Sequence, residues 1–169
     1  MAARIAVEVP YKIGDFVVYP THGVGRVTGL EARVVAGEKL NLFVIDFDKE
    51  RMTLRVPITK ATFSGLRRLS TRRVMDTALK TLRGRSRAKR AMWSRRAQEY
   101  EAKINSGDPV LIAEVVRDLH RNAGQPDQSY SERQIYQAAL DRLVRELAAV
   151  ERIDEDTATR KLEKELRAA

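Results

Sequence analysis

The sequence has no cysteine and only two histidines in its 169 residues. The lack of thiols excludes a disulfide framework, and with so few histidines it also excludes a Cys/His zinc site. No apolar run approaches the roughly 18 residues that cross a bilayer. The first residues also lack the basic segment and long apolar core of a secretory signal. We therefore expect a soluble, cytoplasmic protein with no membrane partner and no bound metal.

The sequence also lacks a grouping of residues that would form a catalytic site. His22 and His120 lie far apart in the sequence and have no evident catalytic partners. The run Gly23-Val24-Gly25 is only a fragment of a phosphate-binding loop, because no Gly-Lys-Ser/Thr follows it. In a context of strands and turns, such glycines favour a positive φ or a bulge. We expect neither an enzyme nor a small-molecule substrate.

What the sequence has in excess is positive charge, and that charge lies in one segment. The chain has 32 Lys+Arg against 23 Asp+Glu, a formal net charge of +9. Residues 67–96 hold 12 basic side chains and one acidic side chain, a net charge of +11. Residues 1–66 carry +2 and residues 97–169 carry −4. Clustered Lys and Arg bind phosphate groups, so this segment predicts a nucleic-acid partner.

Short β-branched and aromatic runs separated by turn residues predict an antiparallel sheet in the first half of the chain. The runs are Phe16–Tyr19, a stretch punctuated by glycines that ends at Val35, residues 40–47, and Met52–Pro57. Ala36-Gly37-Glu38 is the expected turn between the second and third runs. About sixty residues of this kind favour a small closed barrel, because closure removes exposed strand edges.

After residue 71 the hydrophobic period becomes helical. The expected helix starts are Ser70 or Thr71, Arg87, Asp108 followed by Pro109, Ser131 paired with Gln134, and Asp154. The predicted fold class is therefore α+β. A Tudor/SH3-like antiparallel β-barrel in residues 1–68 precedes a compact bundle of about five helices in residues 69–169.

The single tryptophan lies within the basic segment and has two interpretations. In a helix over residues 87–105, Trp93 begins an apolar stripe that continues through Tyr100 and Ile104, which favours a core position. The neighbouring side chains on the same helix are cationic: Lys89, Arg90 and Arg96. An aromatic ring among cations can contact a sugar, a base or a groove edge. The residues alone leave both interpretations open.

Arg33 and Arg55 lie on neighbouring predicted strands, in a half of the chain with little net charge. Exposed arginines on strands commonly do no more than keep a protein soluble. The guanidinium group also forms fork-shaped contacts with carboxylates of a protein partner. The two residues are therefore candidates for a protein interface.

Four segments spread over nearly the whole chain carry a family resemblance. They are DFVVYPTHGVG at 15–25, LRVP at 54–57, WSRR at 93–96 and IAEVVRDL at 112–119. In this order they resemble the CarD/CdnL family of bacterial transcription regulators. The first half also resembles the RNA-polymerase-interaction domain of transcription-repair coupling factor, which lacks the helical second half.

The resemblance implies a partner for each half of the chain. The N-terminal barrel would dock on the lobe of the RNA polymerase β subunit, and Arg33 and Arg55 match family positions that contact this subunit. Val56 and Pro57 lie beside Arg55 on the same strand. The helical part would meet promoter DNA at the upstream edge of the transcription bubble.

The resemblance also implies which residues contact DNA. Trp93 matches the family tryptophan, which acts as a minor-groove wedge where duplex DNA meets melted DNA. The expected DNA-binding residues are Trp93, Arg95, Arg96, Lys89, Arg90 and Arg87. Met92 stands where other members have Asn, and Gln98 replaces a basic residue.

The expected function is therefore that of a transcription regulator that stabilises the promoter open complex. Phosphate contacts give affinity without sequence information, so neither a base-reading helix nor a cofactor is needed. The alternative is a general RNA-binding or ribosome-associated protein, because SH3-like modules with basic extensions also occur there.

Overall fold

The structure is a computed structural model that describes residues 10–61, 64–87, 90–121 and 125–168. In these residues five strands precede five helices, which confirms the predicted α+β class. The strands are β1 (Phe16–Tyr19), β2 (Gly23–Val35), β3 (Glu38–Phe47), β4 (Met52–Pro57) and β5 (Arg67–Arg68). The helices are α1 (Arg72–Leu82), α2 (Trp93–Asn105), α3 (Pro109–Leu119), α4 (Tyr130–Glu151) and α5 (Glu155–Arg167).

The strands form one antiparallel sheet in the order β4-β3-β2-β1-β5. The inner face of this sheet forms the first hydrophobic core, with Val17, Val27, Phe43 and Ile45 fully buried. Strands β4 and β5 are the two edges and do not pair with each other, so the expected barrel is not closed among the described strands. Strand β5 has only two residues, and both pair with β1.

The glycines around β2 serve the backbone and its packing. Ala36 and Gly37 have φ of 51° and 79°, the left-handed pair that a two-residue hairpin turn requires. This confirms the predicted turn between β2 and β3. At Gly25, a Cβ atom would lie only 2.7 Å from Cε1 of Phe47. The expected positive φ is found at Gly23, with φ of 78°, but not at Gly25. Gly25 is required instead because the Phe47 ring packs against its backbone.

Three of the predicted helix starts are confirmed. The capping side chains of α1, α3 and α5 are Thr71, Asp108 and Asp154. The predicted start of α4 is wrong by two residues, because Ser129 rather than Ser131 caps this helix. The hydroxyl of Ser129 accepts a hydrogen bond from the backbone N–H of Glu132 at 3.2 Å. Ser129 and Glu132 have the spacing of a capping box, which competes with the later Ser131–Gln134 pair.

The helices enclose a second hydrophobic core. Helix α3 packs against α1 and α4, and most of its residues are buried. Leu119, Leu143, Leu147 and Leu162 are among the fully buried side chains that α3, α4 and α5 contribute. None of the helices in the described part of the chain is long and apolar enough to cross a membrane.

A buried ion pair joins the sheet to the helices. Arg67 of β5 donates to Glu146 of α4 through both ends of its guanidinium group, with Nη1–Oε1 at 2.7 Å and Nη2–Oε2 at 3.0 Å. Glu146 also accepts hydrogen bonds from the backbone N–H and the hydroxyl of Ser70. Arg67 donates further to the carbonyl oxygen of Gly107 at 2.6 Å. The Glu146 carboxylate, only 4% exposed, is thus fully engaged by hydrogen-bond donors.

A second contact lies between α4 and the β1–β2 turn. Arg142 donates to the carbonyl oxygen of Pro20 at 2.8 Å and to that of Thr21. Burial lowers the pKa of the Arg142 guanidinium from its usual range. Pro20 also contacts the Gly107 backbone, where a Cβ atom would lie 3.1 Å from the Cα of Pro20. The sheet and the helices therefore meet along a tightly packed polar junction.

We predict that Glu146→Ala lowers the free energy of unfolding by about 3 kcal/mol, because it leaves the Arg67 guanidinium without its buried partner. Urea denaturation followed by circular dichroism measures this loss. Glu163→Ala is the matched control, since Glu163 is half-exposed and its ion pair among the described residues is the 3.6 Å contact with exposed Arg167. That control should change stability by less than about 0.5 kcal/mol. Equal effects of the two variants would contradict the assigned role of the junction.

Candidate functional site

Arg33 and Arg55 converge on one carboxylate on the outer face of the sheet. Oxygen Oε2 of Glu31 lies 3.1 Å from Nε of Arg33 and 3.0 Å from Nε of Arg55. The hydrogen bond from Arg55 is the main reason why the pKa of Glu31 is lowered, and the charges of both arginines add to it. The prediction that the two arginines lie on neighbouring strands is wrong, because β3 lies between β2 and β4 in the sheet. Both side chains nevertheless reach Glu31, a residue that the sequence did not single out.

Strand β4 places the residues around Arg55 on two different faces. Arg55 and Pro57 point to the outer face, whereas the side chain of Val56 lies in the sheet core and is only 6% exposed. A contact of Val56 with a partner would therefore involve its backbone. Because β4 is an edge strand, one side of its backbone has no partner strand in the described sheet. The outer face thus combines exposed guanidinium groups with an open strand edge.

Three of the eleven described basic residues in the 67–96 segment bond to carboxylate or carbonyl oxygens of other elements. Arg67 pairs with Glu146, as described above. Arg83 pairs with Glu165 of α5, with Nη2–Oε1 at 3.0 Å, and its hydrogen bond lowers the pKa of Glu165. Arg68 donates to the carbonyl oxygen of Pro10 and lies 5.4 Å from the ring centroid of Tyr11. The charge count of the sequence could not distinguish these residues from free cations, because their partners are distant in sequence.

The other described cations of this segment face solvent almost throughout. The exposed ones are Arg72, Arg73 and Lys80 on α1, Arg85, Arg87 and Arg90 between α1 and α2, and Arg95 on α2. Lys89, an expected DNA-binding residue, lies outside the described residues. The exposed positive charge therefore concentrates around the segment that joins α1 to α2.

The predicted start of α2 at Arg87 is wrong, because Arg87 is held by α3 instead. Its backbone N–H donates to Oδ1 of Asp118 at 3.0 Å, and the same oxygen accepts from Nε of Arg117 at 3.0 Å. Asp118 is 5% exposed. Residues 85–87 are consequently not helical, and α2 begins at Trp93. Arg90 therefore does not flank Trp93 on the helix, although Arg96 does.

Trp93 lies half-buried at the first position of α2. Its ring packs against the edge of the helical core, with its centroid 6.3 Å from that of Tyr100. The guanidinium carbon of Arg96 lies 5.5 Å from the Trp93 centroid and 5.8 Å from the Tyr100 centroid. Arg96 also donates to the Tyr100 hydroxyl at 3.3 Å. Trp93 is therefore partly packed against the core, whereas contact of its exposed part with DNA stays a prediction.

The start of α2 has the chemistry of an anion-binding surface. Met92 precedes the first turn and provides no side-chain cap, and the first turn contains no acidic residue. The positive end of the helix dipole therefore adds to the charge of exposed Arg95. Met92 is 79% exposed, so an uncovered apolar side chain also adjoins Trp93. Cationic and apolar groups thus lie side by side at one end of α2.

Comparisons with known proteins agree with this arrangement of sheet and helices. The family model "CarD, C-terminal domain" matches residues 77–163, and the "CarD-like/TRCF RID domain" matches residues 11–70. The chain is also similar to a Bacillus subtilis (strain 168) protein named "Putative transcription factor YdeB". The two are 28% identical over 145 residues, which are 86% of this chain and 95% of the relative.

An antiparallel sheet followed by a helical bundle, matched by these two models in this order, defines a class of transcription-factor type. The chain belongs to the CarD-like family, as the sequence resemblance predicted. Its role is accordingly related to transcription. The division into residues 1–68 and 69–169 and the assignment of individual contact residues remain predictions.

We predict that Asp118→Ala accelerates hydrogen exchange of the Arg87 amide, because the carboxylate no longer holds this N–H. A hydrogen bond to a charged group contributes about 1.5–3 kcal/mol, so exchange should rise at least ~10-fold. Amide exchange followed by NMR measures this change.

Asp127→Ala, which alters an exposed carboxylate, is the control and should leave the exchange rate of Arg87 unchanged. Core amides such as that of Leu143 separate a local opening from general unfolding. An unchanged rate at Arg87 in Asp118→Ala would contradict the anchoring role of Asp118.

Proposed function

We propose that this protein binds the lobe of the RNA polymerase β subunit through its sheet and promoter DNA through the start of α2. It thereby stabilises the open complex during initiation. The observation that carries the proposal is the half-buried Trp93, held by Arg96 at the end of α2 where exposed cations gather. A protein that binds RNA polymerase on promoter DNA would be cytoplasmic and associated with the nucleoid.

The outer face of the sheet supports the polymerase contact. Glu31 holds Arg33 and Arg55 side by side, so that both guanidinium groups are oriented before a partner binds. Oriented guanidinium groups can form two-pronged bonds with carboxylates, which gives geometric specificity. The open edge of β4 can in addition pair with an extended strand. Because successive residues of a strand direct their backbone groups to opposite sides, only one of Val56 and Pro57 would take part through its backbone, and Pro57 could only accept. The match to the RID domain favours RNA polymerase as this partner.

The segment from Arg85 to Arg96 supports the DNA contact. Exposed Arg87, Arg90 and Arg95 supply phosphate contacts, which give affinity that does not depend on base sequence. Arg96 has a different role, because its guanidinium group is engaged with the rings of Trp93 and Tyr100. Arg96 positions the tryptophan ring, and its guanidinium group can neutralise a phosphate only where the two rings hold it.

The mechanism follows from differential affinity. An apolar side chain inserted at a distorted base step stabilises unstacked DNA relative to regular duplex. A protein that contacts the melted junction better than the closed promoter therefore shifts the equilibrium towards the open complex. Binding to the polymerase would bring this chain to the promoter, so the chain needs neither base-specific readout nor a cofactor.

We predict that Arg55→Glu abolishes retention of the RNA polymerase β subunit in a pull-down with the tagged full-length chain. The substitution reverses a charge at the outer face and places two carboxylates, those of residues 55 and 31, side by side. Arg133→Glu on α4 changes the net charge equally, at an exposed position away from the sheet, and should retain the β subunit. Retention of ribosomal RNA without polymerase would instead support the alternative of a ribosome-associated protein.

We predict that Trp93→Ala weakens binding of a fork-junction DNA about 10-fold, because stacking of one base on an aromatic ring contributes about 1–3 kcal/mol. Fluorescence anisotropy with labelled DNA measures the affinity. Trp93→Phe keeps an aromatic ring and should retain part of the affinity. Trp93→Ala should weaken the binding of fully paired DNA less than that of fork-junction DNA. Unchanged affinity together with a lower melting temperature would return Trp93 to a purely structural role.

A further inference from the structure

A cleft opens between the sheet and the corner where α4 meets α5. Its volume is about 460 Å³, and its walls come from β1, β2 and β3 on one side and from α4 and the start of α5 on the other. Small-molecule sites typically have volumes of roughly 300–1,000 Å³ and lie preferentially where two structural units meet. The cleft lies apart from Arg33, Arg55 and Trp93, none of which lines it.

Most of the acidic side chains that line this cleft already have partners. Asp46 accepts a hydrogen bond from the hydroxyl of Thr53 at 2.8 Å. Asp154 caps α5 by accepting from the backbone N–H of Thr157 at 2.6 Å, and Glu155 pairs with Lys49. Among the described residues, Asp48 is the acidic residue of the cleft whose carboxylate has no side-chain partner.

Three arginines line the cleft, Arg26, Arg145 and Arg152, and none of them forms an ion pair with a carboxylate of the described residues. Nε of Arg145 is buried and has no hydrogen-bond partner among the described residues. Arg152, at the C-terminal end of α4, is exposed, and neither arginine forms an ion pair with a described residue. The four Lys and Arg side chains of the lining are balanced by four Asp and Glu side chains. Because Arg145 and Arg152 have no ion pair with a described residue, their guanidinium groups can donate to an anion.

The remaining walls are apolar. The Phe16 ring is 45% exposed, and the guanidinium carbon of Arg26 lies 5.8 Å from its centroid. Ala148, Ala149 and Ile153 line the opposite side of the cleft. An exposed aromatic ring beside small aliphatic side chains accepts a flat aromatic group. The ligand should therefore combine a planar ring with a negative charge.

We propose that this cleft binds a nucleoside phosphate, with its base against Phe16 and its phosphate at Arg145 and Arg152. The proposal goes beyond the bridging of polymerase and DNA and does not depend on it. Because both the sheet and the helices line the cleft, a bound nucleotide contacts both. Binding should therefore raise the melting temperature of the whole chain.

Isothermal titration of the full-length chain with GMP, AMP, guanosine and inorganic pyrophosphate tests this proposal. We expect one site for a mononucleotide, with weaker binding of guanosine, which lacks the phosphate, and of pyrophosphate, which lacks the ring. Arg145→Gln and Phe16→Leu should each weaken mononucleotide binding at least ~5-fold, a change equivalent to about 1 kcal/mol. Arg133→Gln, at an exposed position on α4, should not.

Two results would overturn the proposal. One is the absence of mononucleotide binding at millimolar concentration, with melting curves showing that the chain is folded. The other is binding that withstands Arg145→Gln and Phe16→Leu but is lost in Arg87→Gln, because the nucleotide would then occupy the cationic surface next to Trp93. Loss of polymerase or DNA binding, in contrast, leaves the expected titration result unchanged.

Discussion

The bidentate pair between Arg67 and Glu146 is the interaction on which the arrangement of this protein depends. Arg67 belongs to the last strand of the sheet, and Glu146 lies in the longest helix, 79 positions away. Each half has its own hydrophobic core, so without polar contacts at the junction little would fix one against the other. The proposed contacts, polymerase at one half and DNA at the other, require such a fixed relation between the halves.

The arginines of the basic segment divide into two groups with different roles. Arg67 and Arg83 hold elements of the fold together through carboxylates on α4 and α5. Arg87, Arg90 and Arg95 remain exposed and surround the start of α2. Arg96 connects the two groups, because it is partly buried and holds the ring of Trp93. The exposed positive charge is thus smaller than the sequence suggests, and it is concentrated near the tryptophan.

Local signals in the sequence predicted most of the fold, whereas contacts between distant residues did not follow from it. The hairpin turn at Ala36-Gly37 and the cap at Asp108 are set by neighbouring residues, and both predictions are confirmed. The start of α2 was placed too early because Asp118, 31 positions away, holds the Arg87 backbone. Glu31 precedes Arg33 by two residues on β2, but its contact with Arg55 depends on the register of strands two places apart and did not follow from the sequence.

The central claim is that one chain bridges polymerase and melted DNA. The lifetime of a promoter open complex tests it most directly, measured with the wild-type chain, Arg55→Glu, Trp93→Ala and the double variant. If both contacts are needed, each single variant should remove most of the lifetime that the wild-type chain adds. The double variant should then remove no more than either single variant. Losses that multiply in the double variant, or a lifetime that no variant changes, would contradict the account.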